Sequence, residues 1–280
     1  MAVHSGKETG AYKARTRAVL AGRDPASQHG FINPPTYRGS TVLYPTMDDL
    51  LHRRGRYSYG TRGTPTTEAL ESAWSDISGA AGTVLLPSGL AACVLALMSC
   101  LKAGDHLLVT DSVYGPTRNF CDTVLKRFGV EVTYYDPLIG AKISELMKPN
   151  TKVVFTEAPG SQTFEMQDIP ALSAAAKAGG AALLMDNTWA TPFFFPPHER
   201  GVDIAIEAGT KYLGGHSDLL LGLVSANKEY WPRLRQTFDT MAMCAGPEDV
   251  FLALRGLRTM RLRRAQECPG SRRSASPAPR

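Results

Sequence analysis

A lysine and an aspartate at the ends of two apolar segments are the residues of this sequence best placed to do chemistry. Asp186 closes the run AALLMD, and Lys211 follows VDIAIEAGT, 25 residues further along the chain. A lysine amine beside a buried strand and glycines is expected to be partly desolvated, which lowers its pKa and favours the nucleophilic neutral form. A carboxylate at the end of an apolar strand must meet a cation, a protonated heterocycle or backbone amides. Taken singly, a surface lysine and a capping aspartate are the alternatives.

Two further positions could hold a phosphate group and a flat ring. Ser88, Gly89 and Leu90 follow the apolar run TVLLP and begin a helical segment. Amides at a helix N-terminus favour negative charge, so this turn is a candidate phosphate cradle. Tyr114, in DSVYGPT, could stack on a flat ring or simply pack against its neighbours. Each position alone is weak evidence, because many turns in α/β proteins look the same.

These groups are more informative together. A phosphate cradle, a stacking aromatic, a carboxylate for a ring nitrogen and an amine fall at the ends of different strands of one predicted sheet. Pyridoxal 5′-phosphate (PLP) needs this set, because it requires an anchored phosphate, a Schiff-base lysine and a charged partner for its pyridinium. No metal is expected, since none of the five cysteines is spaced as CxxC or paired with a nearby histidine.

Apolar segments that alternate with helical ones would position these groups. From about residue 65, runs such as HLLVT, KVVFTE and VDIAIEA are typical of buried strands, and helical patterns separate most of them. Strands that are apolar throughout predict an α/β fold, with a mostly parallel sheet covered by helices on both faces. In such a sheet the ligand lies beyond the carboxyl ends of the strands, where all of the candidate residues fall.

Three segments are predicted along the chain. Residues 1–60 would form an extended N-terminal arm with short helical pieces, and residues 61–260 a PLP-binding large domain. Residues 261–280 contain almost no bulky apolar side chain beyond Leu262 and are dominated by Arg, Ser, Pro and Ala. They are therefore predicted to be a disordered tail.

Composition and charge exclude several other classes of protein. The 280 residues are 43% apolar and 20% charged, which is ordinary for a globular protein. The net charge of +5 arises from residues 261–280, so no broad nucleic-acid-binding face is expected. Pro87, Ser88 and Gly89 interrupt the apolar segment 83–101, which predicts a strand, a turn and a buried helix rather than a membrane span. The odd number of cysteines and the polar first residues predict a soluble cytoplasmic protein.

From about residue 30 to residue 260, the sequence resembles the Cys/Met-metabolism family of PLP-dependent enzymes of fold type I. The spacing from Asp186 to Lys211 is highly specific for that family. The motifs that carry the resemblance are YGTRGTPTTEAL (59–70), LPSGLAA (86–92), DSVYGPT (111–117), EAPGSQTFEMQD (157–168), MDNTWATP (185–192) and AGTKYLGGHSD (208–218).

The resemblance implies a role for each residue that would contact the ring of the cofactor. Lys211 would form the Schiff base and later remove the Cα proton of the substrate. Asp186 would pair with the pyridine nitrogen, and Tyr114 would stack on the ring. Tyr59 and Tyr114 are also candidates for assisting proton transfer.

The resemblance also implies how the phosphate is bound and how subunits assemble. The amides of Gly89 and Leu90 and the hydroxyl of Thr210 would hold the phosphate. Tyr59 would reach into the site of a neighbouring subunit, since the family builds each site across a dimer within a tetramer. The family often has Tyr-x-Arg in this arm, whereas here Thr61 occupies the arginine position and Arg62 follows it. Arg62 either substitutes for the missing arginine or leaves this phosphate contact weakened.

Within the family, the sequence is most similar to the β-lyase branch. That implies cleavage of L-cystathionine to L-homocysteine, pyruvate and ammonia, a step of methionine biosynthesis. The γ-replacing members usually carry serine where this sequence has Ala208, and their later loop often reads GHGD where this one reads GHSD over residues 215–218. Cystathionine γ-synthase and O-acylhomoserine sulfhydrylase activities are the enzymatic alternatives.

A second alternative is not enzymatic. Members of the family continue into a C-terminal domain that supplies an arginine for the substrate α-carboxylate, and no residue of this sequence matches that arginine. The chain would then be a catalytically impaired, truncated fragment that at most binds PLP or associates through its large domain, because substrate-positioning groups are a large part of catalysis.

Overall fold

A seven-stranded sheet forms the centre of the fold. The structure is a computed structural model, and it describes residues 12–267. In the order β1-β7-β6-β5-β4-β2-β3, every strand runs in the same direction except β7, which is antiparallel to both of its neighbours. The strands are β1 (Gly82–Leu86), β2 (His106–Thr110), β3 (Glu131–Tyr135), β4 (Thr151–Glu157), β5 (Ala182–Asp186), β6 (Ile204–Ala208) and β7 (Gly222–Ala226).

Helices cover both faces of the sheet. The α-helices are α1 (Ala14–Leu20), α2 (Met47–Leu51), α3 (Pro65–Ser78), α4 (Gly89–Cys100), α5 (Gly115–Phe120), α6 (Ile169–Ala178), α7 (Thr191–Phe194), α8 (Trp231–Met241) and α9 (Pro247–Glu267). Short 3-10 helices lie at Pro25–Gln28, Gly60–Arg62, Gly140–Leu146 and His198–Arg200, and a π-helical turn at Cys121–Leu125.

Side chains of each strand alternate between the two faces, and both faces are buried. On β1, Val84 and Leu86 belong to the core beneath α4 and α8, whereas Leu85 belongs to the core beneath α3 and α9. Leu108 on β2 faces a third cluster that includes residues of α6. Burial on both faces explains why the strands are apolar throughout, and the predicted α/β fold with a mostly parallel sheet is confirmed.

Local signals explain where the helix α3 begins and ends. Thr64 is its N-cap, and a capping box joins the Thr64 and Thr67 side chains to each other's backbone amides. Pro65 occupies the first turn, where its missing N–H costs nothing. Gly79 ends the helix in the left-handed region with φ +74°, which glycine adopts without steric cost.

Strand β7 was not anticipated by the sequence analysis. It follows β6 without an intervening helix and returns antiparallel, with Ala208 opposite Gly222. Alternating strands and helices predict parallel strands, but here two strands follow each other without a helix between them. Its neighbour β1 is consequently joined to the rest of the sheet through β7 alone among the described strands.

The structure differs from the predicted tail over residues 261–267, which continue α9 as helix. Arg264 is only 1% exposed, and its guanidinium carbon lies 3.8 Å from the ring centre of Tyr212 and 5.0 Å from that of Trp189. Arg263 donates to the Tyr212 carbonyl oxygen at 2.8 Å. Arginines that stack on rings and bond to carbonyls hold this turn without bulky apolar residues, which the composition argument overlooked. Residues 268–280 lie outside the described part of the chain.

The apolar segment 83–101 forms most of β1, the turn after it and all of α4, as predicted. Within residues 12–267, none of the helices combines the length and the hydropathy that crossing a membrane would require.

Candidate active site

The carboxyl edge of the sheet brings together the ends of four strands. In the order β6-β5-β4-β2, the ends are neighbours, so residues that follow these strands lie side by side. Asp186 is the last residue of β5, Glu157 is the last of β4, and the two are directly paired in the ladder. Tyr114 follows β2, and Lys211 follows β6. The sheet therefore explains how residues far apart in sequence reach one region.

Asp186 is a carboxylate without a cationic partner among the described residues. One oxygen, Oδ1, accepts a hydrogen bond from the Thr188 amide at 3.0 Å. The other, Oδ2, lies 3.8 Å from the Cys93 thiol sulfur. Burial raises the pKa of Asp186 above its ordinary value, and the hydrogen bonds from Thr188 only partly oppose the shift. A protonated ring nitrogen would supply the positive partner that this carboxylate lacks.

Glu157 is a second carboxylate at the same edge, which the sequence analysis did not select as a site residue. Its Oε2 accepts a hydrogen bond from the Tyr114 amide at 2.8 Å. Burial, together with repulsion from Asp186, raises the pKa of Glu157 to about 8. The signal that could have identified it is its position at the end of a buried strand beside that of Asp186. Glu157 positions the backbone of Tyr114, whose side chain is 44% exposed at the predicted ring site.

Replacing Glu157 by glutamine is expected to flatten the pH dependence of stability in the cofactor-free protein. A carboxyl whose pKa is higher in the folded state binds more protons when folded. The free energy of unfolding therefore falls as the pH rises from 4.5, the ordinary pKa, to about 8. Urea unfolding at several pH values should show a smaller loss in Glu157→Gln. The exposed Glu145 provides the control, because Glu145→Gln should keep the original slope. Equal slopes in both variants would contradict the assignment.

The turn between β1 and α4 packs directly against the end of β6. A Cβ atom at Gly89 would lie 2.7 Å from the Ala208 Cβ, so only glycine fits there. A Cβ atom at Gly222 would lie 2.1 Å from the Ser88 carbonyl oxygen. Ser88 caps α4 by accepting a hydrogen bond from the Ala91 amide at 3.1 Å. The first two amides of the helix, those of Gly89 and Leu90, precede any partner within the helix and are available to an anion.

A hydrogen-bonded path connects Asp186 with the turn that carries Lys211. Thr188, whose amide bonds Asp186, also accepts a hydrogen bond from the Ala208 amide through its Oγ1 at 2.8 Å. The Ala208 carbonyl in turn accepts from the Lys211 amide at 2.9 Å. The Lys211 carbonyl accepts from the Gly215 amide at 2.7 Å, which closes the turn. The positions of the carboxylate and the lysine backbone are thus coupled.

Two predicted residues of this turn have surroundings that the sequence did not suggest. The side chain of Lys211 is exposed in this chain, whereas a partly desolvated amine was expected. The Thr210 hydroxyl donates to the Leu221 carbonyl at 3.2 Å and accepts from the Leu221 amide at 3.0 Å. Thr210 therefore joins the turn to the start of β7, and its role toward a phosphate stays a prediction.

Tyr59 lies at the end of the arm, and Arg62 lies just after it. Tyr59 forms an isolated antiparallel bridge with Thr41, and its side chain is 47% exposed. Arg62 forms an ion pair with Asp239 on α8 at 3.1 Å, and its carbonyl oxygen accepts from Arg235 at 3.1 Å. The Arg62 guanidinium, the candidate replacement for the missing arm arginine, is therefore paired within its own chain.

The residues at the carboxyl edge fit PLP. A buried carboxylate without a cation suits a protonated ring nitrogen, and the first turn of α4 suits a phosphate. An exposed lysine amine at the same edge can reach an aldehyde. Among the described residues, no group of histidines, cysteines or carboxylates could hold a metal ion.

This fold and this edge define a PLP-dependent enzyme of fold type I. A family model described as Cys/Met metabolism PLP-dependent enzyme matches residues 15–276. The chain belongs to the Cys/Met-metabolism family of PLP-dependent enzymes. The predicted family and the predicted cofactor are thereby confirmed.

Relatives and solved structures agree with this assignment. The chain is 58% identical to a putative cystathionine β-lyase of Saccharomyces cerevisiae over 89% of its length and 73% of the relative's. It is also 58% identical to a putative cystathionine β-lyase of Rhizobium johnstonii, of which it spans 63%. The crystal structure of metB from Corynebacterium glutamicum matches with a TM-score of 0.86 and 31% identity, over 91% of this chain and 66% of that one. The names of the two relatives agree with the predicted carbon–sulfur lyase class.

Proposed function

We propose that this enzyme cleaves the carbon–sulfur bond of L-cystathionine by β-elimination, releasing L-homocysteine, pyruvate and ammonia. The observation that carries the proposal is the coupling of the Asp186 carboxylate to the Lys211 turn through Thr188 and Ala208. This arrangement supplies a charge partner for a ring nitrogen and an amine at one edge of the sheet. The similarity to proteins named cystathionine β-lyase supports the choice of substrate.

Each residue at the carboxyl edge has a distinct role in this proposal. Lys211 would hold the cofactor through its amine and, once displaced by the substrate amine, would remove the proton from Cα. Asp186 would keep a proton on the ring nitrogen. Bound PLP supplies an electron sink that stabilises the negative charge developing at Cα. Tyr114, held by Glu157, would lie against the ring and assist proton movement.

The phosphate would be bound where the chain offers unpaired donors. The amides of Gly89 and Leu90 point away from the first turn of α4, and the helix dipole favours a negative group there. The contact of Gly89 with Ala208 keeps this turn beside the lysine turn. Thr210 is a further candidate, provided that its hydroxyl exchanges the Leu221 carbonyl for the phosphate.

A β-lyase and the γ-replacing alternatives differ in the substrate that yields product. The chain with added PLP is expected to release pyruvate from cystathionine and to form no cystathionine from an acylated homoserine plus cysteine. Ala208 and the loop 215–218 support this expectation by their difference from the γ-replacing pattern. Pyruvate is measured with a coupled dehydrogenase, and cystathionine by chromatography. Cystathionine formation without pyruvate release would contradict the β-lyase assignment.

The length of the chain gives the second candidate, a fragment that binds PLP without turnover. The chain spans 63–73% of the two curated relatives described above. Assaying it beside the Saccharomyces cerevisiae relative separates the candidates. A kcat/KM within about tenfold of that relative would exclude the inactive fragment, whereas cofactor binding without pyruvate would exclude the lyase.

We further propose that the site is shared between subunits of a cytoplasmic homodimer or homotetramer. The arm exposes large apolar side chains, with Phe31 73%, Leu43 88% and Leu51 72% exposed, which suits contact with a second copy. Tyr59 lies on the same arm and would enter the neighbouring site. The reduced cysteines of the described residues suit a reducing compartment. Sedimentation velocity tests the assembly, and a monomer with full activity would contradict the shared site.

A further inference from the structure

A small cavity between the N-terminal arm and α9 has three arginines among the six residues that line it. Its volume is about 100 Å³, and its walls are Arg23, Asn33, Phe251, Leu254, Arg255 and Arg258. The first two residues come from the arm and the other four from α9. None of the residues assigned to the cofactor lines this cavity, so it is a separate site.

Two hydrogen bonds hold the Arg258 guanidinium at the cavity, and one of its nitrogens has no acceptor. Its Nη1 donates to the carbonyl oxygens of Ala18 at 2.9 Å and Ala21 at 2.7 Å. Its Nη2 is buried and has no hydrogen-bond acceptor. Burial, together with the nearby charge of Arg23, lowers the pKa of Arg258 to about 10. The fold thus fixes the orientation of a guanidinium while leaving a buried donor unsatisfied.

Arg23, which also lines the cavity, carries a second unsatisfied donor. Its Nε is buried without an acceptor, and burial lowers its pKa from the ordinary value. Within residues 12–267, no carboxylate forms an ion pair with Arg23, Arg255 or Arg258. A buried donor without a partner is destabilising, and two like charges in one cavity repel each other. An anion between these guanidinium groups would offset their repulsion.

We propose that this cavity binds a small divalent oxyanion, with inorganic phosphate or sulfate as its simplest forms. Guanidinium groups match tetrahedral oxyanions because several N–H donors meet several oxygens. Arg23, Arg258 and the more exposed Arg255 supply the positive charge, and Asn33 adds an amide. Phe251 and Leu254 form an apolar wall, beside which the attraction between opposite charges is stronger than in bulk water.

Thermal unfolding in different salts tests this site. The protein is first saturated with PLP and reduced with borohydride, so that added phosphate does not enter the cofactor site. About 20 mM phosphate or sulfate should raise Tm by about 3 °C over chloride at equal ionic strength. Acetate, a monovalent oxyanion, should give less than half of that shift. Acetate acting as strongly as phosphate would overturn the assignment to a divalent anion.

Two arginine variants separate a binding role from a structural one. Arg23→Gln should lose the phosphate shift and, in chloride, should be at least as stable as the unchanged protein, because its repulsion of Arg258 is removed. Arg200→Gln, at an exposed arginine outside the cavity, should keep the full shift. The proposal is overturned by equal phosphate shifts in both variants, by a lower Tm of Arg23→Gln in chloride, or by no shift above chloride in the unchanged protein.

Discussion

Lys211→Ala is expected to abolish pyruvate formation from cystathionine, with a loss in kcat/KM of at least about 10⁴-fold, the upper end of the effect of a missing general base. The loss should be this large because the same amine would both hold the cofactor and move the Cα proton. Borohydride reduction in the presence of PLP should label the unchanged protein on Lys211, and peptide mapping identifies the labelled residue.

The backbone of Lys211 should be unaffected by this substitution. Its amide and carbonyl bond Ala208 and Gly215, and neither contact involves the side chain. An unchanged circular dichroism spectrum would therefore separate lost chemistry from lost folding. Lys228, an exposed lysine after β7, is the matched control, because Lys228→Ala should keep both label and activity. Label that persists in Lys211→Ala, or that is scattered over surface lysines, would contradict the assigned role.

Asp186→Asn is expected to lower kcat by about 10² to 10³-fold, the usual effect of removing one group that stabilises the charge developing in the reaction. Asparagine keeps the shape and can still accept from the Thr188 amide, but it has no charge to hold a proton on the ring nitrogen. Steady-state kinetics and the absorption spectrum of the PLP-loaded protein measure the effect. The affinity for PLP should also fall.

Asp203 is the matched control for this substitution. It is a buried carboxylate with a raised pKa, but it lies before β6 at the opposite edge of the sheet. It accepts hydrogen bonds from the Leu183 amide and the Asn227 side chain, both at 2.8 Å. Asp203→Asn should therefore lower Tm and leave the cofactor spectrum and kcat unchanged. Asp186→Asn should instead change the cofactor spectrum and lower kcat, with Tm unchanged. Equal effects of the two substitutions on kcat would contradict the assignment.

The sequence predicts the sheet well because its strands are buried on both faces. Uninterrupted apolar runs such as HLLVT and VDIAIEA indicate strands, and a helix between two strands predicts that they are parallel. This reasoning does not predict β7, since β7 follows β6 without an intervening helix and runs antiparallel to it. The sequence does not predict the last turns of α9 either, because Arg264 is buried by stacking on aromatic rings that lie far from it in sequence.

The sequence predicts which residues belong to the candidate site, but it does not predict the hydrogen bonds that join them. Strand ends mark Asp186 and Lys211, because parallel strands collect their carboxyl ends at one edge. No local pattern reveals that Thr188 bonds both Asp186 and Ala208, or that Glu157 holds the Tyr114 amide. These contacts depend on which strands are neighbours, and no single segment of the sequence indicates the order of the strands in the sheet.

The close contact between Gly89 and Ala208 has a consequence for how the protein matures. The two residues are more than a hundred positions apart, and they meet only after β1, β7 and β6 have joined one sheet. Contacts between distant segments form late, because a long loop must close before they stabilise anything. The place where a phosphate would bind is therefore completed near the end of folding. A chain in which β7 has not yet left the ribosome lacks this place, so PLP uptake is expected to follow formation of the sheet rather than to guide it.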